Sequence, residues 1–162
     1  MTFFEKLGNQ VSSKQSYLCV GLDPVREKMP PHLPRTPEGL LEFLLEIVDE
    51  TKAYAVVFKP NFAYFEALGA SGMEVLQELI RKIPAEIPVL GDAKRGDVGH
   101  SAEMYAKAVF ETFECDAVTV TPYQGEDALR PFLAYRERGV FVLCITSNPG
   151  AADFQLPEMH LQ

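Results

Sequence analysis

Residues 88–97 read Pro-Val-Leu-Gly-Asp-Ala-Lys-Arg-Gly-Asp. The run from Pro88 to Lys94 starts as an apolar strand and finishes on a carboxylate and an ammonium group. In an extended strand, residues two apart share a face. Leu90, Asp92 and Lys94 are therefore expected to point one way, and Gly91 and Ala93 the other. Small residues on the second face suit a helix packed closely outside. The first face then carries opposite charges at the strand's C-terminal tip, and Asp97 follows in the loop beyond.

The same pattern recurs on both sides of this stretch. Strands are expected at Tyr17–Asp23, Ala53–Lys59, Pro88–Lys94, Ala117–Thr121 and Val140–Thr146. Amphipathic stretches separate them. Thr36 is a candidate N-cap with Pro37 at the first helical position, ahead of Leu40, Leu41, Leu44, Leu45 and Val48. Ser71 and Glu74 have capping-box spacing before Val75, Leu76 and Leu79. A third helix is expected after Ser101, with Met104, Tyr105, Ala108 and Val109, and a fourth over Glu126–Arg138, ended by Gly139. Asn148-Pro149-Gly150 then turns the chain.

Continuous apolar strands alternating with helices imply an α/β fold with a parallel sheet covered on its faces. Two architectures fit: a doubly wound open sheet and an eight-stranded (β/α)8 TIM barrel. A dinucleotide-binding sheet would carry Gly-x-Gly-x-x-Gly after its first strand, and this chain has Asp23-Pro24 there. The barrel predicts polar residues at the C-terminal tip of strand after strand. Asp23, Lys59, Asp92 with Lys94, Thr121 and Ser147 supply them in order.

Taken singly, each of these residues has a bland explanation. Asp23-Pro24 and Asn148-Pro149-Gly150 are turn formers, and His100 has no nearby partner for a nucleophile or metal set. Solvation alone has no reason to select the same end of successive strands, whereas barrel enzymes build their sites there.

Composition narrows the partners. Fifteen Lys and Arg against 23 Asp and Glu leave a net charge of −8, which repels nucleic acid and anionic membranes. A single small phosphate ester needs only a few donors and stays admissible. No apolar run approaches the ~20 residues needed to cross a bilayer, and the start, MTFFEKLGNQ, lacks the pattern of a signal peptide. Cys19, Cys115 and Cys144 form no Cys-x-x-Cys pair. They are expected to be buried free thiols in a reducing cytoplasm.

Here the residues resemble a family. Asp92-Ala93-Lys94-Arg95-Gly96-Asp97 is similar to the Asp-x-Lys-x-x-Asp signature of orotidine 5′-phosphate decarboxylases, in the wording of one bacterial branch. The likeness extends to GLDP at 21–24, FKPN at 58–61, TPYQGEDAL at 121–129 and TSNPGA at 146–151. It implies that Lys59, Asp92, Lys94 and Asp97 form an alternating catalytic array. Asp97 and Ser101 would reach the neighbouring subunit's site, making a homodimer the working unit. By the same resemblance Asp23 holds a ribose hydroxyl and Ser147 hydrogen-bonds the pyrimidine; Thr121 is grouped with these substrate-binding residues.

Loss of CO₂ from C6 of the orotate ring leaves a carbanion with no adjacent carbonyl to share its charge. A preorganised cation that also carries a proton answers that need, and Lys94 is both. Two roles are open to Asp92. It either crowds the substrate carboxylate, where like charges ~4 Å apart repel by about 4 kcal/mol at an effective dielectric near 20, or orients Lys94. Lys59 and Asp97 would keep the array near neutral. The scheme needs no metal and no organic cofactor.

The rival enzyme is a Mg²⁺-dependent phosphosugar lyase or decarboxylase of the same barrel superfamily. Such relatives resemble this chain in Asp-x-Lys-x-x-Asp but end the second strand in an acidic residue, where this chain has Lys59. Activity that survives EDTA separates the two. A complete barrel runs to ≈ 250 residues. Residues 1–162 are accordingly expected to be a single incomplete barrel domain, about the first five β/α units, without the glutamine and arginine that the resemblance implies as the phosphate grip in the last strands. Alone, it is expected to be inactive, a catalytically dead fragment with unpaired strand edges.

Overall fold

The computed structural model describes residues 1–156. Five strands are present: β1 (Leu18–Leu22), β2 (Ala55–Pro60), β3 (Leu90–Arg95), β4 (Ala117–Val120) and β5 (Gly139–Val142). All pairings are parallel, β1 with β2 and β3 with β4 with β5. The two groups join through bridges Phe58–Val89 and Asn61–Asp92, and the Phe58 N–H donates to the Pro88 carbonyl at 3.1 Å. Spatial order thus follows chain order. A doubly wound sheet needs a reversal of strand order at its switch point, and among the described residues there is none. The chain has the architecture of the first five β/α units of a barrel.

Helices alternate with these strands, most of them packing on the outer face of the arc. They are α1 (Phe3–Lys14), α2 (Pro37–Thr51), α3 (Phe62–Glu66), α4 (Ala70–Lys82), α5 (Gly99–Lys107), α6 (Glu126–Leu133) and α7 (Ala152–Gln155). In α2 the Thr36 hydroxyl accepts the Gly39 N–H at 3.3 Å and Pro37 opens the helix, as the sequence predicts. Leu40, Leu44 and Val48, four apart, are buried, while Leu41 and Leu45 pack at the margin. The main core lies between strands and helices and is filled by Phe58, Phe62, Phe65, Leu76, Phe110 and Phe132.

α1 does something different: it caps the N-terminal ends of the strands. Thr2 and Glu5 form a reciprocal capping box, the Thr2 hydroxyl accepting the Glu5 N–H and the Glu5 carboxylate accepting the Thr2 N–H at 2.8 Å. Phe3, 2% exposed, packs with Val56, Val57, Leu90 and Ala117 in a second, smaller core. Gly139 is needed there, because a Cβ would come within 2.5 Å of the Phe3 ring. Lys6 pairs with Asp116 at 2.8 Å, and the same carboxylate oxygen accepts the Val89 N–H at 2.9 Å. Lys14 donates to the carbonyls of Lys52 and Ala55, both at 2.7 Å. With that end covered, the opposite end is the open one.

Several elements depart from the sequence expectation. α1 has the capping-box spacing but lies outside the helices expected from periodicity. α4 starts at Ala70 because Gly69, with φ of 69°, turns the chain just before it; Ser71 lies inside the first turn and donates to the Leu68 carbonyl, so it caps nothing. α5 starts at Gly99, ahead of Ser101, and buries Ala102 and Ala106 while Met104 and Tyr105 stay exposed. It runs on into a π-helical turn, Ala108–Thr112. α6 stops at Leu133 rather than Arg138, soon after Pro131, which has no N–H to give to the helix. Gly139 then starts β5 instead of capping α6, and β5 ends at Val142, well before Thr146. Cys115 is buried as expected, but Cys19 and Cys144 are exposed. Their apolar runs fall at β1 and just past β5, the two outer strands of the arc, where no neighbouring strand covers them among the described residues.

The small core under α1 gives a direct test. Phe3→Ala removes its central ring and should cost about 3 kcal/mol, read as a lower urea midpoint with an unchanged m-value. A loss below about 1 kcal/mol would mean that α1 is not anchored there.

Candidate active site

The open end of the arc is organised by an irregularity in β3. Leu90 pairs with Ala117 and Gly91 with Val118, but the next partner of β4, Val120, pairs with Arg95. Four steps along β3 thus match two along β4. The extra residues are accommodated as a bulge spanning Asp92, Ala93 and Lys94, the stretch that carries the two candidate catalytic residues of β3. Lys94 sits in the left-handed region with φ of 46°, uncommon for a residue with a Cβ. Strict alternation along Leu90, Asp92 and Lys94 therefore fails at Lys94. Its side chain reaches Asp92 because the backbone turns, not because the two share a pleat.

Asp92 is the hub. Lys94 Nζ donates to its Oδ1 at 2.7 Å, and Lys59 Nζ, from the tip of β2, lies 3.3 Å from its Oδ2. The Asp92 side chain is 10% exposed and that of Lys94 54%, so the carboxylate is the held partner and the ammonium faces the open mouth. Burial pushes the Asp92 carboxyl up, but hydrogen bonds from Lys94 and Thr119, with the charges of both lysines, hold it below the usual aspartate range. One carboxylate between two ammonium groups leaves the trio with an excess positive charge. An anion can be received there.

Gly91 and Ala93 flank this cluster. A Cβ on Gly91 would meet Cys115 Sγ and the Phe62 ring, each at 3.1 Å, so the face away from the site is closely packed, as small residues allow. Arg95 also turns outward, pairing with Glu66 and placing its guanidinium 5.8 Å from the Phe62 ring centroid and 5.2 Å from that of Tyr105. It ties β3 to α3 and α5. Gly96 then passes so close to β4 that a Cβ would lie 2.5 Å from Thr121 Cγ2.

The other sequence candidates stand apart from the trio. The Asp97 carboxylate accepts the Val98 N–H at 2.7 Å and makes no salt bridge among the described residues. Ser101 is exposed on the first turn of α5. Asp23 is exposed immediately after β1, and Ser147 is exposed beyond β5. Thr121 is half-buried past β4; its N–H donates to the Arg95 carbonyl at 2.8 Å. Beside it opens a largely apolar cavity of ≈ 440 Å³, lined by Thr121, Pro122, Tyr123, Leu143, Cys144, Phe154 and Gln155. All of these lie at the C-terminal ends of the strands.

One contributor was not singled out from sequence. Thr119, within β4, donates from Oγ1 to Asp92 Oδ1 at 2.8 Å. Its signal was present as the lone hydroxyl in the apolar run Ala117–Val120, two residues before Thr121 and so on the same face.

Parallel β/α units in chain order, with a charged array at the strand tips, are the arrangement in which barrel enzymes build their sites. The chain belongs to the orotidine 5′-phosphate decarboxylase / HUMPS family, whose model matches residues 16–159. A curated orotidine 5′-phosphate decarboxylase from a Roseiflexus species is 51% identical over 155 residues, covering 96% of this chain and 57% of the relative. One from Herpetosiphon aurantiacus is 45% identical, with 94% and 57% covered. Among solved structures, Leishmania donovani OMP decarboxylase superposes with a TM-score of 0.88 at 42% identity, covering 98% of this chain and 60% of that one. Leishmania donovani UMP synthase gives 0.88 and 42%, covering 99% and 34%. The chain therefore spans a little over half the length of the curated relatives that it matches.

The charge on Asp92 should be visible in acid. Its folded-state carboxyl binds a proton less readily than the unfolded one, so its contribution to stability is present above about pH 4 and disappears as pH falls through the lowered folded value. The gap in urea midpoint between the parent chain and Asp92→Asn should hold from pH 7 to pH 5 and shrink below about pH 4. A gap independent of pH would show that Asp92 is not ionised in the fold.

Proposed function

We propose that this chain carries the catalytic array of an orotidine 5′-monophosphate decarboxylase, the enzyme that makes uridine 5′-monophosphate in pyrimidine biosynthesis. One observation carries the reading: a buried carboxylate, Asp92, gripped by Lys94 and Lys59 at the strand tips. The names of the family and of the curated relatives point the same way. Lys94 is the catalytic acid. Its ammonium stabilises the negative charge that develops at C6 as CO₂ leaves, then delivers a proton to that carbon. The 2.7 Å contact favours Asp92 as the group that aims Lys94. Lys59 holds Asp92 from the other side and gives the array its excess positive charge. No metal or cofactor enters this scheme.

A Mg²⁺-dependent phosphosugar enzyme would place its cation near the acidic end of such a trio. Lys59 already puts an ammonium 3.3 Å from Asp92, and two cations there would repel. The decarboxylase reading is accordingly preferred.

The substrate-binding roles are assigned in the same spirit. Asp23 takes a ribose hydroxyl, Ser147 the pyrimidine edge, and Thr121 lines the adjoining cavity. Asp97 and Ser101 serve the site of a second subunit in a homodimer. The separation of Asp97 from the Lys59–Asp92–Lys94 trio within one chain supports that division. Three free thiols and the absence of any helix able to cross a membrane among the described residues suit a cytoplasmic enzyme. Residues 1–162 form one incomplete domain on this view, without the substrate's phosphate grip.

The test uses protein continued to the full length of the curated relatives. Lys94→Ala and Asp97→Ala should each fall below a thousandth of parental turnover, measured by loss of orotate absorbance. Mixed under subunit exchange, they should regain activity, because one site of each heterodimer then carries neither change. Demonstrated exchange without recovery would place Asp97 in its own subunit's site, and a Lys94→Ala rate within tenfold of the parent's would end the role of Lys94. The 162-residue chain alone should show no measurable turnover. Binding energy from a non-reacting group helps to position the reacting end, and a ~1 Å misplacement already costs ~10²-fold.

A further inference from the structure

The bulge in β3 creates a problem that a single side chain solves. Between Gly91 and Arg95 the ladder to β4 is interrupted, so the N–H groups of Ala93 and Lys94 lose the carbonyl partners that a regular strand would offer. Both donate instead to Thr119 Oγ1, at 3.1 Å and 3.0 Å. A hydroxyl has two lone pairs and one proton. With both lone pairs occupied by N–H donors, the proton has one direction left, and Asp92 Oδ1 lies in it at 2.8 Å. Thr119 thereby fills three hydrogen-bonding roles at once. Each partner belongs to the bulge.

We infer that Thr119 is a positioning residue of the array: its hydroxyl holds the left-handed turn at Lys94 and keeps Asp92 as a hydrogen-bond acceptor facing Lys94. The catalytic part of this inference rests on the decarboxylase reading, and the structural part does not. Two features separate the role from ordinary packing. The acceptor lone pairs fix the backbone that sends the Lys94 side chain back toward Asp92. The donated proton lands on the same carboxylate oxygen that receives Lys94 Nζ. Two donors converging on one oxygen, the Lys94 ammonium and the Thr119 hydroxyl, favour the ionised carboxylate there. Among the described residues, the other charged or titratable groups around Asp92 are Lys59 on β2, Lys94 on its own strand and the thiol of Cys19 on β1, which senses both Lys59 and Asp92. Arg95 lies outside this set because it points into the helix layer.

The experiment compares the 162-residue chain with Thr119→Ser, which keeps the hydroxyl, and with Thr119→Ala and Thr119→Val, which lose it. The Asp92 carboxyl is followed by carbon-detected NMR through an acid titration. The Ser form should titrate with the parent, and the Ala and Val forms should both titrate at higher pH. An Asp92 titration unchanged in the Ala or Val form, or a Ser form displaced as far as the Ala form, would overturn the inference. Should neither hydroxyl-free variant fold, the parent decides by amide hydrogen exchange. Protected Ala93 and Lys94 amides support the bonds to Thr119, and exchange at the unfolded-chain rate refutes them. In protein extended to the relatives' full length, Thr119→Ala should lower kcat about tenfold with KM within about twofold, and Thr119→Ser should restore it. Equal losses in kcat for Ser and Ala would also count against the role. An inactive full-length parent would defeat the decarboxylase reading while leaving the titration to judge Thr119 on its own.

Discussion

A buried carboxylate that must stay charged is the constraint around which this end of the molecule is arranged. Asp92 loses most of its contact with water, and that loss alone would favour its neutral form. Two ammonium groups and a hydroxyl restore what solvent no longer gives. Each comes from a different place: Lys59 from β2, Lys94 from the bulge of β3, Thr119 from β4. The array therefore exists only when three neighbouring strands are in register. That makes it a consequence of the sheet rather than a local motif.

The rest of the fold serves this register from the other side. α1 closes the N-terminal ends of the strands through Phe3, Lys6 and Lys14, and Asp116 ties β3 to the start of β4 by accepting the Val89 N–H. Outside, Arg95 links the tip of β3 to α3 and α5 by an ion pair and two aromatic faces. A strand fixed at its base, its outer face and its tip can hold a bulge in the middle. Strain at Lys94, of order 1–3 kcal/mol for a left-handed residue with a side chain, is tolerated for the same reason. On the proposed decarboxylase reading this rigidity has a use, since a preorganised cation works only if its surroundings do not relax when charge develops on the substrate.

Much of this was legible in the sequence, and for definite reasons. Strand and helix order follow from apolar runs separated by amphipathic stretches, and the barrel follows from polar residues repeating at strand tips. Thr36-Pro37 announced α2 because capping is a contact between near neighbours. Asp23, Lys59, Asp92 and Lys94 stood out because charges at the ends of apolar strands need an explanation, and the fold then brings the last three together. Where local patterns misled, a tertiary contact had overruled them. Gly139 looked like a helix stop, yet it is the residue that leaves room for the Phe3 ring. Cys19 and Cys144 looked buried, yet they lie on β1 and just past β5, at the two margins of the described arc.

The sequence by itself determined which residues bear the charge, which strand each occupies and which end of the sheet they share, because period and polarity are properties of the chain. It could not place the bulge. A bulge is a mismatch between two strands, and whether β3 spends four residues against two of β4 is settled only when both are paired. From that mismatch come the left-handed Lys94, the return of its ammonium to Asp92 and the recruitment of Thr119, none of which strand alternation predicts. Tertiary structure decided these because hydrogen bonds left open by the mismatch had to be closed by whatever polar atom the neighbouring strand presented.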